Sequence, residues 1–247
     1  MNMKAKRILI TILTLLLVVS TVHIDSFAAS SSQQKKAIKA YYKILSKYSK
    51  EINSVKKGTY VYKNSNVIDG VWKDVISSSL SSSEYYKPVY SIKDINSDGI
   101  PELIIGAKYK SYGTQYDYIG GVYTFANKKA VKLINGDGSH HVVKIHKKGI
   151  IEFGDFYGAM HTGYSYEKLA KKGKKLKPVI TIDCSYGKYT KIIKSGKSQS
   201  STKEEYEKYY NKYKKTEVKI SWNTLNKKAL TATKNGYSSY KAYKKSK

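Results

Sequence analysis

Apolar positions change their period twice along the chain. Ile38, Tyr41, Leu45, Tyr48 and Ile52 recur at alternating intervals of three and four with lysines between them, which predicts an amphipathic helix over residues 33–52. Val71, Trp72, Val75 and Ile76 suggest a second, short helix within 67–80, closed by the serines of 77–83. From Lys87 the period falls to two, and residues 89–92, 103–107, 116–126, 130–134, 141–146, 150–153, 164–169 and 179–183 read as strands. Asn127-Lys128-Lys129, Lys147-Lys148-Gly149 and Lys172-Gly173-Lys174 supply turns between them. Short strands joined in chain order imply an antiparallel meander rather than parallel βαβ units.

Helical spacing then returns. Thr202 with Glu205 forms a capping box, and Tyr206, Tyr209, Tyr210 and Tyr213 follow on one face. Residues 217–222 read as one more strand, 225–230 as a short helix, and 234–247 as a basic tail that is frayed or laid on the surface. The expected class is α+β: an antiparallel β-meander, open or propeller- or barrel-like, flanked by N-terminal and C-terminal amphipathic helices. The expected divisions are a leader at 1–28, a helical segment at 29–84, the meander at 85–196, a second helical segment at 197–233 and the tail.

The leader changes the compartment. Lys4, Lys6 and Arg7 precede an uncharged run over residues 8–22, and Ser26 and Ala28 stand where signal peptidase needs small side chains. That is a secretory signal peptide cut near Ala28. The apolar run is shorter than the ~20 residues that span a bilayer, and no comparable run follows in the mature chain. About 220 residues remain, enough for a real hydrophobic core. Cys184 is the single cysteine, so no internal disulfide can form. Its alternating surroundings, Val179 to Cys184, make it a half-buried strand thiol.

The formal net charge is +28, and about +26 remains once the leader is gone. Arg7 is the only arginine. Lysine binds phosphate as a point charge and lacks the bidentate fork that reads base edges, so sequence-specific nucleic-acid recognition is disfavoured. An anionic cell-wall polymer, anionic lipid headgroups or extracellular DNA would each satisfy such a charge. Lysine- and tyrosine-rich composition is also what an AT-rich genome produces.

One loop carries definite chemistry. Asp94-Ile95-Asn96-Ser97-Asp98-Gly99-Ile100-Pro101-Glu102 lies between two predicted strands. Ca²⁺ takes roughly six to eight oxygen ligands, and side chains at loop positions 1, 3 and 5 converge on it when the chain curls. Asp94, Asn96 and Asp98 hold those positions, Gly99 permits the curl, Ile100 offers a backbone carbonyl and Glu102 a carboxylate. An EF-hand would instead need an acid where Ile105 stands, and a following helix. The alternative is an Asx-rich turn whose side chains bond their own backbone and hold no ion.

This D-x-N-x-D-G-x-x-E-L pattern resembles the calcium loops of integrin-type β-propeller repeats. Over Tyr90 to Gly106 the chain also resembles a segment common in poorly characterised secreted proteins and lipoproteins of clostridia and related Firmicutes. In those proteins, too, tyrosine-rich hairpins follow. The resemblance implies an EF-hand-like structural Ca²⁺ site and brings no activity with it.

The remaining candidates are weaker. His140, His141, His146 and His161 lack the H-x-x-x-H or C-x-x-C spacing of a zinc site and read as ordinary surface or core histidines. Glu152, Asp155, Glu167 and Asp183 are the carboxylates available for acid–base chemistry, which needs two of them about 5–9.5 Å apart. No nucleophile elbow or phosphate loop is present. The expectation is a secreted or wall-associated module, non-enzymatic and basic. A secreted hydrolase of wall polymer or glycan, with Asp155, His161 or Asp183 near its site, is the first alternative, and a protein-interaction domain using exposed tyrosines is the second.

Overall fold

The computed structural model describes residues 31–56, 86–111, 114–135, 141–156, 160–193 and 196–247. The expected signal peptide and the expected helix at 67–80 lie outside these residues.

The first helical pattern forms α1, Ser31–Lys56. The period-two region forms β1 (Tyr86–Lys93), β2 (Glu102–Ser111), β3 (Thr114–Ala126), β4 (Lys129–Asn135), β5 (His141–His146), β6 (Ile150–Phe156), β7 (His161–Leu169) and β8 (Leu176–Ser185). Two strands that the pattern did not predict follow, β9 (Lys188–Ile193) and β10 (Ser198–Ser200). The capped helix is α2, Lys203–Lys214, and the Thr202 side chain accepts a hydrogen bond from the Glu205 amide as the capping box requires. A two-residue β11 (Asn223–Thr224) and helices α3 (Lys227–Lys234) and α4 (Tyr240–Lys245) complete the described chain.

The strands form two antiparallel sheets and neither closes into a barrel. The first has the order β11-β1-β2-β3-β4, and the second β10-β9-β8-β7-β6-β5. Consecutive strands pair as a meander within each sheet, but the chain passes from the first sheet to the second between β4 and β5, and β11 returns from the C-terminal region to pair with β1. Alternation along β2 explains the layering. Leu103, Ile105 and Ala107 face one way and bury with Ala37, Tyr41, Leu45 and Tyr48 of α1. Ile104 faces the other way, joining Val122 and Ile134 against Val143, Ile145, Ile151 and Leu169 of the second sheet. The far face of that second sheet buries Tyr166, Ile180 and Ile182 under Tyr213 of α2. Helix, sheet, sheet and helix therefore stack in four layers.

One expectation is corrected, and one is resolved between its two alternatives. Residues 217–222 do not join a sheet as a strand: the segment makes one bridge, Glu217 with His146, and passes over the end of β5 while Val218, Ile220 and Trp222 drop into the inter-sheet core. Alternating burial gives the same sequence pattern as a strand without a partner ladder. Of the two states expected for the tail, frayed or laid on the surface, the structure shows the second, with a short helix in it. Helix α4 forms behind a Ser239 cap, and Gly236 and Tyr237 lie against Lys35 of α1. Among the described residues no helix is long and apolar enough to cross a membrane.

Because α1 supplies a third of the first core, Leu45→Ala should lower unfolding stability by about 2–5 kcal/mol. Urea denaturation followed by tyrosine fluorescence measures it. A cost under about 0.5 kcal/mol would mean that α1 does not pack on the sheet.

Candidate functional site

The Asp94–Glu102 loop joins β1 to β2 and curls as its residue types require. Ser97 has φ 60° and Gly99 φ 84°, so the turn enters the left-handed region twice. Asp94 fixes the curl: Oδ1 accepts from the Ser97 amide at 2.8 Å and the Asp98 amide at 3.3 Å, and Oδ2 from the Gly99 amide at 2.8 Å. Asp98 accepts from the Ile100 amide through Oδ1 at 2.8 Å. Asn96 takes the Asp98 amide through Oδ1 at 3.3 Å. These are the bonds of an Asx-rich turn: Asp94 Oδ1 and Asp98 Oδ2 each accept two of them, the second on Asp98 coming from Asn96 Nδ2 at 3.1 Å, while Asp94 Oδ2 and Asp98 Oδ1 accept one each and keep a further lone pair.

The loop is also a joint. Asp98 Oδ2 accepts from the Lys172 amide at 2.7 Å, and Asn96 Nδ2 donates to the Ala170 carbonyl at 3.1 Å. Both partners lie in the turn between β7 and β8 of the second sheet. Tyr41 of α1 donates its hydroxyl to the Pro101 carbonyl at 2.8 Å. Gly149 closes the contact from the β5–β6 turn: it has φ +72°, and a Cβ there would stand 2.8 Å from both the Asn96 Cβ and the Leu169 carbonyl.

Glu102 has no exposed surface. Its Oε2 accepts from the Ile95 amide at 3.0 Å and its Oε1 from the Thr124 hydroxyl at 3.2 Å. Burial raises its carboxyl to about 8; the Ile95 amide opposes that shift, and the nearby charges of Asp98 and Asp94 add to it. The phenol of Tyr41 is likewise held protonated, first by burial and then by Glu102 and Asp98. Among the described residues no lysine forms an ion pair with Glu102.

The donor set fits a hard divalent cation. Asp94, Asn96, Asp98, the Ile100 carbonyl and Glu102 offer oxygen only, and a cation beside Glu102 would relieve the penalty that raises its carboxyl. As folded, the side chains are engaged by amides rather than drawn around one point. Among the described residues no three histidine, cysteine or acidic side chains are gathered closely enough to hold a metal ion.

The other candidates separate onto the two faces of the second sheet. His146 and Glu152 are buried on the α2 side, with Nε2 3.0 Å from Oε2, and Lys144 approaches Glu152 Oε1 at 3.6 Å. Burial and then Glu152 hold the Tyr166 phenol protonated, and the ring stacks on Tyr213 with centroids 3.8 Å apart. His146 is thus a core histidine in a polar pocket.

On the opposite face the fold brings Asp155, His161 and Asp183 together around Gly163. Asp155 and Asp183 pair with Gly163 from either side, and His161 Nε2 lies 2.7 Å from Asp183 Oδ1. A Cβ on Gly163 would stand 2.9 Å from Asp183 Oδ1 and 3.9 Å from the Asp155 Cβ. Glu167 lies further along β7. His140 falls outside the described residues, and His141 is placed only by its register opposite Asp155. Cys184 is a free, half-buried thiol. Sequence reasoning missed Gly163 and Tyr186, because only the register shows what stands beside them.

The chain matches no protein-family model, no curated protein and no solved structure.

Two outcomes test this geometry. Gly149→Ala should cost about 2 kcal/mol or more, since it meets both a left-handed backbone and a contact that cannot yield, and a thermal melt reads the loss. For Glu102 the sign follows from its raised pKa: stability is highest below the unfolded value of 4.5 and falls as pH rises through about 8. In EDTA, Glu102→Gln should remove that component, by on the order of a few kcal/mol, so that wild type and variant diverge with rising pH. Parallel stability–pH curves would show that the buried carboxylate carries no such penalty.

Proposed function

We propose that the chain is a secreted, non-enzymatic module that lies against the anionic polymer of a cell wall, with Ca²⁺ in the Asp94–Glu102 loop as a structural clip. In this reading the meander is flanked by its N-terminal and C-terminal amphipathic helices and held in register by the clip, and the lysines do the adhering. Support for secretion comes from the charged start, apolar run and small residues ahead of Ala29. Support for adhesion comes from a large positive charge built almost wholly of lysine.

The observation that carries the calcium reading is the fully buried Glu102 at the end of a curled acidic loop. An uncompensated buried carboxylate is costly, and a bound cation turns that cost into affinity. The loop touches α1, the first sheet and the second sheet, so an ion there would tie three layers together in a chain with one cysteine. Extracellular sites of this kind bind at roughly 10⁻⁴ to 10⁻³ M.

At millimolar calcium the stabilisation is then of order 1 kcal/mol, a rise of about 2–4 °C in melting temperature. Glu102→Gln separates this effect from folding, because it keeps the shape, removes the ligand charge and should abolish the calcium response without lowering the melt in EDTA. An equal response in wild type and Glu102→Gln would reduce the loop to a turn. Adhesion is tested separately with isolated walls: retention at low salt and release at several hundred millimolar salt is expected, and elution by low salt alone would count against it.

A further inference from the structure

Beyond this reading, we propose that the open face of β7–β10, with Tyr186 at its rim, binds an uncharged glycan strand. Among the described residues, the second sheet enters the inter-sheet core through Val143, Ile145, Ile151 and Phe153 of β5 and β6 and through Leu169 and Leu176 at one end of β7 and β8. Across the rest of β7–β10, on that same face, the register lays out rows of small polar side chains. One row runs Ser165, Thr181, Ile192, Ser198, and the next Gly163, Asp183, Thr190, Ser200. Ser165 and Thr181 share a hydrogen bond of 2.9 Å, and His161 and Asp183 one of 2.7 Å. Ile192, Ser198 and Ser200 are exposed and Thr181, Asp183 and Thr190 half-buried.

The chemistry of these rows selects the ligand. Hydroxyls donate and accept at once, and Asp183 beside His161 adds a strong acceptor and a ring nitrogen, a set that matches a polyol. Polyanions are disfavoured here: Asp155 and Asp183 repel them, neither row contains a lysine, and Lys188 stands beyond them, opposite Ser185. In a chain of formal charge +28, a face this poor in lysine is set apart from the surface that holds anionic polymer.

Tyr186 points the same way. It occupies the first position of the two-residue turn between β8 and β9, with φ 50° ahead of Gly187 at 75°. Such turns favour Asn-Gly, and a bulky residue in the left-handed region is strained. The ring is 75% exposed, and its neighbour Met160, whose carbonyl accepts from the Tyr186 amide at 2.9 Å, is 60% exposed. The side chain therefore gains little packing in return for the strain. An exposed aromatic ring beside a hydroxyl-lined face offers a stacking platform for the C–H face of a sugar.

The test titrates a β-1,4-linked N-acetylglucosamine hexamer into the isotope-labelled secreted chain at about 1 M NaCl, where charge attraction beyond ~3 Å is screened. Amide shifts at Thr181, Asp183, Tyr186 and Thr190 are expected. Tyr186→Asn should weaken binding at least tenfold while melting at the same or a higher temperature, since Asn accepts the turn. Asp183→Asn should weaken it with the melt nearly unchanged. Release of reducing ends would also support the proposal, because turnover requires binding. The proposal is overturned by an absence of shifts on this face at millimolar hexamer, by undiminished binding in both variants, or by binding that survives only at low salt. None of these outcomes depends on calcium or on wall adhesion.

Discussion

Glu102 opens β2 with its carboxyl fully buried, and the arrangement around it follows from what a buried carboxyl needs. Ile95 and Thr124 satisfy its two oxygens, which fixes where the loop leaves β1 and where β3 must lie. Asp94 and Asp98 approach because the loop is short and Gly99 lets it curl, and their charges then work against ionisation of Glu102. Two like charges brought towards a buried acid would be a defect in an isolated turn. Here the same loop reaches the Lys172 amide of the second sheet and the Tyr41 hydroxyl of α1, so the strain sits where three layers meet. Protonation of Glu102 relieves its repulsion with both aspartates at once.

Tyrosine does much of the work that leucine and disulfides do elsewhere. Tyr41, Tyr48 and Tyr90 are fully buried in the first core. Against the second sheet, Tyr164 meets Tyr210 at 5.1 Å, Tyr189 meets Tyr206 at 5.5 Å, and Tyr166 stacks on Tyr213. Each ring brings a large buried area with few rotatable bonds to freeze. The tyrosine stripe of α2 is accordingly packing, and the polar pocket of His146 and Glu152 is enclosed by it.

The period of the apolar residues made β1 to β8, α1 and α2 legible, because each of these elements has one face against a neighbour. Strands β9 and β10 escaped because neither contains a fully buried residue. Ser198, Gln199 and Ser200 are all exposed, so no alternation of burial marks them. Residues 217–222 misled in the opposite sense, with alternating burial and no ladder. The loop could be read from spacing alone, since its donors are local. The gathering of Asp155, His161 and Asp183 could not, because it arises from register between three strands, and register depends on bulges such as that between Tyr166 and Glu167.

Three lysines stand at backbone positions that local geometry disfavours. Lys128, Lys148 and Lys172 all stand in the left-handed region at φ 61°, 63° and 53°, positions that glycine or asparagine fills at lower cost. All three residues are exposed. A drift in composition would scatter lysine over every exposed surface alike. The two rows on the open face of β7–β10 carry serine, threonine and aspartate and no lysine. The proposed glycan face and the lysines proposed to meet a polyanion are therefore different surfaces of the molecule.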